Sequence, residues 1–337
     1  MLSPEVTELN EADDMPRELR GKGKPMPCDK FVKVCRCPST RKEVIICYRT
    51  LGDPSDPCLL LVIGLGGTMV HWPPEFLSEL LKNGFFLVML DNRDSGLSTH
   101  FDGYPTPFLP CMIFQSWSPL CGGAPPYTLY DMAHDAWCLL TVLGIRRAHL
   151  LGTSMGGMIV QCMAIQHPER VCSLTICYSH SSGPYVKPQA CRVTLALLDK
   201  PASLSLKDVE DYVVRSDCLF RGDYLLDEKH VREVAVANFT RSPPYKQGLL
   251  RHVWAVQRAT NREPALRRLR CFPVLVIHGR KDLMIPYENG LRLACVLWNA
   301  KLVLFPHMGH SIPRPLYVEI ALEVGLQKLR IVEKVPR

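Results

Sequence analysis

Short runs of apolar and β-branched residues recur along the chain at positions 43–48, 59–63, 85–90, 148–152, 174–177, 273–278 and 301–305. Runs this short and this apolar suit strands covered on both faces. Between them, residues 75–83, 130–143 and 155–167 carry apolar side chains at helical spacing, the last closed by His167-Pro168. Strands that alternate with helices predict an α/β fold: a mostly parallel central sheet flanked by helices.

The alternation breaks once. From about 183 to 269 the strand signal disappears, and helical patterns at 205–214, 228–239 and 248–259 replace it. This stretch reads as a helical cap inserted into the sheet domain, which leaves 31–182 and 270–337 as two parts of one core. A second insertion, 101–127, is rich in Pro, Gly and aromatic residues, among them Phe114, Trp117 and Tyr127, and reads as a lid or pocket wall. Residues 1–30 are polar, show neither period, and read as an extension of uncertain order.

Composition narrows the class. The 337 residues favour a single enlarged domain, and 47% hydrophobic against 22% charged residues excludes a largely disordered chain. The formal charge of +7, from 40 basic and 33 acidic residues, is spread along the sequence and implies no nucleic-acid partner. The densest basic group, Arg267, Arg268 and Arg270, reads as a solvated face. Of 15 cysteines many sit in apolar runs, such as Cys162, Cys172, Cys177 and Cys295, where reduced thiols act as small core side chains. The Cys35-x-Cys37 pair lacks zinc-site spacing. The acidic N-terminus has no apolar signal region and no stretch approaches about 20 apolar residues, so cytoplasmic residence without integral membrane association is expected.

The sharpest chemical signal is His149-Leu-Leu-Gly-Thr-Ser154-Met-Gly-Gly-Met158, an apolar strand running through G-x-S-x-G into an apolar helix. Such a turn is strained, holds a serine hydroxyl outward, and needs glycines where side chains would crowd the backbone. The Met155 amide, at the helix start, can donate to an anionic oxygen. A serine nucleophile needs a base, and His310 follows the last predicted strand in Phe305-Pro-His-Met-Gly-His310; His307 is its nearest competitor. Asp282 follows the preceding strand in His278-Gly-Arg-Lys-Asp282 and offers an orienting acid, or alternatively a cap for the helix near Pro286. The glycine-rich Gly64-Leu65-Gly66-Gly67 loop after an early strand offers the Leu65 N–H as second oxyanion donor, since no P-loop or dinucleotide spacing is present.

With these residues in hand, the chain from about 31 to 329 resembles the α/β-hydrolase superfamily, especially esterase-like members similar to aclacinomycin methylesterase. Further support comes from His71-Trp-Pro73, Asp91-Asn-Arg-Asp-Ser-Gly-Leu-Ser98 and Tyr127-Thr-Leu-Tyr-Asp-Met132. The resemblance implies a Ser154, Asp282, His310 triad, oxyanion amides at Leu65 and Met155, a substrate-covering cap, a small-molecule ester substrate and no cofactor. Two departures qualify it: Ile63 stands where many members carry histidine, and no Trp follows the nucleophile as in related proline-releasing peptidases. Ser154 argues against haloalkane dehalogenases and epoxide hydrolases, which place Asp there. The Asp91–Ser98 segment is expected to be structural, its polar side chains binding backbone around the turn. Two further readings share the fold: a receptor or scaffold that binds without turnover, and an acyltransferase, lactonase or thioesterase on the same triad.

Overall fold

The computed structural model describes residues 8–9, 23–37, 40–107, 123–188, 201–242 and 245–330. Phe114 and Trp117 lie outside them. Among the described residues nine strands form one sheet: β1 (Glu8–Leu9), β2 (Lys30–Arg36), β3 (Glu43–Leu51), β4 (Cys58–Val62), β5 (Phe86–Leu90), β6 (Ala148–Thr153), β7 (Val171–Cys177), β8 (Val274–Gly279) and β9 (Ala300–Phe305). Their order is β1-β2-β3-β5-β4-β6-β7-β8-β9. The β1, β2 and β3 strands pair antiparallel, as do β3 and β5, while every pairing from β5 through β4 to β9 is parallel. This is the α/β architecture that the alternating pattern predicts.

Side chains on successive strand residues point to opposite faces. Leu60 and Val62 of β4 accordingly pack into one apolar cluster with Trp137, Met158 and Ile159, while Leu59 and Leu61 pack into the other with Trp72, Phe76 and Ile320. Three helices cover the first face: α2 (Leu129–Val142), α3 (Met155–Gln166) and α8 (Glu288–Val296). Helices α1 (Pro74–Lys82) and α9 (Tyr317–Leu326) pack against each other on the second. With both faces covered, β4, β5, β6 and β8 are buried at every residue, which is why they read as continuous apolar runs. Between β7 and β8 the described chain runs through α4 (Leu206–Asp217), α5 (Glu228–Arg241), α6 (Lys246–Gln257) and the single turn α7 (Glu263–Leu266).

Register brings the strand ends level. Val62 pairs with both Leu90 and Gly152, Thr153 with Cys177, and Cys177 with Ile277. The loops that leave β4, β6, β7 and β8 therefore emerge together at the carboxyl edge, where ligands of open parallel sheets bind.

The polar segment at the N-terminus joins the fold at two places. Glu8–Leu9 adds a short antiparallel strand to β2. The buried Asp29 carboxylate lies 2.6 Å from Arg49 Nε and 2.9 Å from Arg241 Nε. Tyr127 is fully buried and its hydroxyl donates to Asp94 at 2.6 Å, so this end of the 101–127 insertion belongs to the core.

His149, on β6, is a buried ring against Phe85, with Nδ1 2.7 Å from Ser173 Oγ. Burial, with Lys328 and Arg147 nearby, pushes its pKa down to about 4. The unfolded chain then binds this proton before the folded one does as pH falls below about 6.5. Stability should be full above that value and decline toward pH 4, with this ring contributing a loss of about 2 kcal/mol at pH 5. Urea unfolding at pH 7 and pH 5 measures the drop. In His149→Asn the drop should be smaller by that amount, and an unchanged drop would show that the ring does not titrate in this range.

Candidate active site

Ser154 stands between β6 and α3 with φ 55° and ψ −120°. A non-glycine residue at positive φ is strained and persists only where its surroundings fix it. Here the Ser154 N–H donates to Cys177 O at 3.0 Å, and its carbonyl accepts from Ser179 Oγ at 2.7 Å and Met158 N at 3.2 Å. The glycines of G-x-S-x-G permit the approach that the turn requires. A Cβ at Gly152 would stand 2.2 Å from Gly156 O, and one at Gly156 would stand 2.0 Å from Val62 O. These bonds occupy the Ser154 N–H and carbonyl and leave its hydroxyl outside the backbone contacts of the turn.

That hydroxyl lies 2.9 Å from His310 Nε2, and His310 Nδ1 lies 2.8 Å from Asp282 Oδ2. The three side chains come from three loops and meet in one line. Asp282 does not cap the helix beyond Pro286, whose N-cap is Tyr287 with no side-chain cap bond; Oδ1 instead accepts from Met284 N and Ile285 N in the loop before that helix, each at 2.8 Å. One oxygen is thus tied to the backbone while the other faces the histidine. On the far side His278 Nε2 lies 3.3 Å from Asp282 Oδ2. Burial alone would raise the Asp282 pKa, but the adjoining His310 and His278 rings outweigh it and hold the carboxyl down at about 2. An ionised Asp282 makes Nδ1 the protonated nitrogen of His310 and leaves Nε2 to accept a hydrogen bond from the Ser154 hydroxyl.

Tyr178 packs 4.9 Å from the His310 ring and Phe220 packs 6.4 Å from it, centroid to centroid. His307, the competing base, is exposed and pairs with Asp223 Oδ2 at 3.0 Å, while it is His310 that bonds the serine.

The Gly64–Gly67 loop abuts the serine directly. A Cβ at Gly64 would lie 3.0 Å from Ser154 Cβ and 3.5 Å from its Oγ. Leu65 is the next residue, and Met155 is the first of α3, a position whose N–H has no acceptor within the helix.

The helices between β7 and β8 are tied to these loops by polar contacts. Phe220 O accepts from His310 N at 2.6 Å, and Gly222 bridges to Met308. From α5, Arg241 Nη1 lies 2.8 Å from Asp91 Oδ2. From α6, the buried Arg251 donates through Nε and Nη2 to Asp94 Oδ2 and Oδ1 at 2.7 and 2.9 Å. The 91–98 segment is structural in the way its sequence suggests: Asp91 accepts from Met69 N and Leu97 N, and Asp94 from Phe101 N. Arg93 adds a buried bidentate pair with Asp135, both bonds 2.7 Å.

A strained serine between a strand and a helix at the carboxyl edge of a parallel sheet, facing a histidine and an acid from later strand ends, is the arrangement of α/β hydrolases. The sequence profile of the α/β hydrolase fold matches residues 57–313, more than half of the chain, and the protein belongs to that family. Rhodomycin D methylesterase DauP of Streptomyces sp. (strain C5) is 25% identical over 304 residues, which span 85% of this chain and 95% of that protein. The putative carbamate hydrolase RutD of Pseudomonas savastanoi pv. phaseolicola is 29% identical over 265 residues, 76% of this chain and 87% of its own. Among solved structures, a 2-hydroxy-6-oxo-6-phenylhexa-2,4-dienoate hydrolase from Rhodococcus sp. strain RHA1 shares the fold. Its TM-score is 0.63 at 20% identity, over 89% of this chain and 99% of that one.

Proposed function

We propose that this protein is a serine hydrolase that cleaves a carboxylic ester through an acyl-enzyme on Ser154. The observation that carries the reading is the continuous relay from Asp282 through His310 to Ser154, with steps of 2.8 and 2.9 Å. Ser154 Oγ attacks the ester carbonyl while its proton passes to His310 Nε2. Asp282 keeps the ring in the accepting tautomer and stabilises the imidazolium. The Leu65 and Met155 N–H groups receive the negative charge that develops on the carbonyl oxygen. Collapse of the tetrahedral adduct breaks the C–O bond, and the leaving alcohol takes the proton from His310. Water then repeats the sequence against the acyl group and frees Ser154. No cofactor enters these steps.

The helices between β7 and β8, roughly residues 183–269, are proposed as the cap that covers the substrate. The methylesterase name of one relative supports the ester, and the carbamate hydrolase name of another brings in a second acyl group that the same relay can attack. Free thiols at all cysteines whose side chains are described fit a reducing cytoplasm.

The test uses a chain-length series of nitrophenyl esters, a nitrophenyl carbamate, and a phosphonate that labels activated serines. Turnover that ranks acyl length, together with a phosphonate adduct on the peptide containing Ser154, is the expected result. An adduct on another residue overturns the assignment of the nucleophile. Binding of esters without turnover or adduct would favour a receptor.

A further inference from the structure

The Gly64–Gly67 loop is a closed turn. Gly67 N–H donates to Gly64 O at 3.2 Å, Gly66 has φ +64°, and Leu65 is not among the residues at positive φ. Negative φ at the second position and positive φ at the third define a type II turn, which differs from type I by a flip of the central peptide. Here that peptide joins Leu65 to Gly66, and its direction is set from outside the loop. Gly66 N–H donates to His252 Nδ1 at 3.2 Å, across 186 residues of sequence. Ile63, which precedes the turn, supplies no polar side chain to hold it.

His252 is a fully buried residue of α6, and its other nitrogen settles its tautomer. Nε2 lies 2.7 Å from Arg93 O, which can only accept. The proton therefore sits on Nε2, and Nδ1 is bare toward Gly66. Burial works in the same sense, holding the pKa below the ordinary imidazole value; Asp94 and the Arg93 carbonyl act against it, and the Arg251 and Arg93 cations with it.

We propose that His252 is a positioning residue for the oxyanion loop: its bare Nδ1 holds the Leu65–Gly66 peptide in the type II orientation, and this anchors against α6 the turn that carries the Leu65 N–H beside Ser154. The proposal rests on the reading of Leu65 as oxyanion donor. In a trans peptide the Leu65 carbonyl points opposite to the Gly66 N–H. Without the acceptor at His252 that peptide is free to flip, which swings ψ of Leu65 by about 150° and turns its carbonyl about; the turn then loses its anchor, and with it the fixed position of the Leu65 donor.

Two substitutions separate the two bonds of this ring. His252→Asn puts an amide oxygen close to the position of Nδ1 and keeps the acceptor for Gly66. His252→Gln reaches the position of Nε2 and keeps the donor to Arg93 O, but has no acceptor for Gly66. In the full-length protein His252→Gln should lower kcat for a nitrophenyl ester about 10- to 100-fold per folded molecule, with KM changed less than about threefold. His252→Asn should recover most of that loss. The Gly66 amide, followed by its nitrogen–proton resonance and hydrogen exchange, should lose protection in His252→Gln and keep it in His252→Asn. Equal effects of the two variants on kcat, or wild-type kcat in His252→Gln, would overturn the proposal. If the wild-type protein turned over no ester, the hydrolase reading would fail on its own, and a Gly66 amide unaltered in His252→Gln would separately refute the anchoring.

Discussion

Ser154→Ala is expected to lower nitrophenyl ester turnover by about 10⁴- to 10⁶-fold while leaving the fold intact. The size follows from the role proposed for the side chain: it is the attacking atom of the proposed relay, so its loss would also idle His310 and Asp282. A residual rate over water should remain, because the proposed Leu65 and Met155 donors are backbone groups that the substitution leaves in place. Stability should change by less than about 1 kcal/mol, since the contacts that hold the strained turn run through the Ser154 N–H and carbonyl, with Cys177, Ser179 and Met158 as partners. Paired measurements of kcat and urea midpoint check both parts. Turnover within tenfold of wild type would place the nucleophile elsewhere.

Asp94→Asn should have the largest effect on stability, a loss of about 3–5 kcal/mol. Asp94 sits at φ 62°, a conformation asparagine also tolerates, so the substitution isolates the charge from the backbone. Burial would raise the Asp94 pKa, but bidentate Arg251, the Phe101 amide and the Tyr127 hydroxyl outweigh it and keep the carboxylate ionised. Removing the charge leaves the Arg251 guanidinium buried without its counter-ion. The double variant Asp94→Asn, Arg251→Met should then be less destabilised than Asp94→Asn alone, because it discards the stranded cation. Urea midpoints of the four proteins provide the comparison. Strict additivity would mean that the pair is not coupled.

The groups that meet at Ser154 were legible because each follows a recognisable strand. The parallel order of β6, β8 and β9 delivers Ser154, Asp282 and His310 to one edge, and the spacing of each from its strand end is local information. The helices between β7 and β8 were legible for the same reason, their periodicity being local. Strand β2 was not: Lys30–Arg36 mixes apolar and charged residues without strict alternation, and its partners in β3 alone give it an identity. Helix α9 also escaped the pattern, because Val318, Leu322 and Leu326 leave apolar residues on its exposed side as well. His252 gave no signal at all. It reads as one polar residue in a helix, and its significance arises only when the fold carries it to Gly66. Asp94 and Arg251, 157 residues apart, illustrate the same limit: the acid was expected to bind nearby backbone, which it does, but its cation comes from a helix that sequence distance hides.

The attachments of the helical insertion bear on how such proteins exchange substrates over evolution or by engineering. Arg241 grips the 91–98 loop, Arg251 grips Asp94, and the Phe220–Gly222 stretch grips the His310 loop. A chimera that exchanged residues 183–269 with those of another hydrolase would strand Asp91 and Asp94 without their arginines and leave His310 N without its acceptor. Transplanting a new helical insertion onto this chain therefore calls for moving residues 64–68, 91–101 and 307–311 along with it, as a single inherited block.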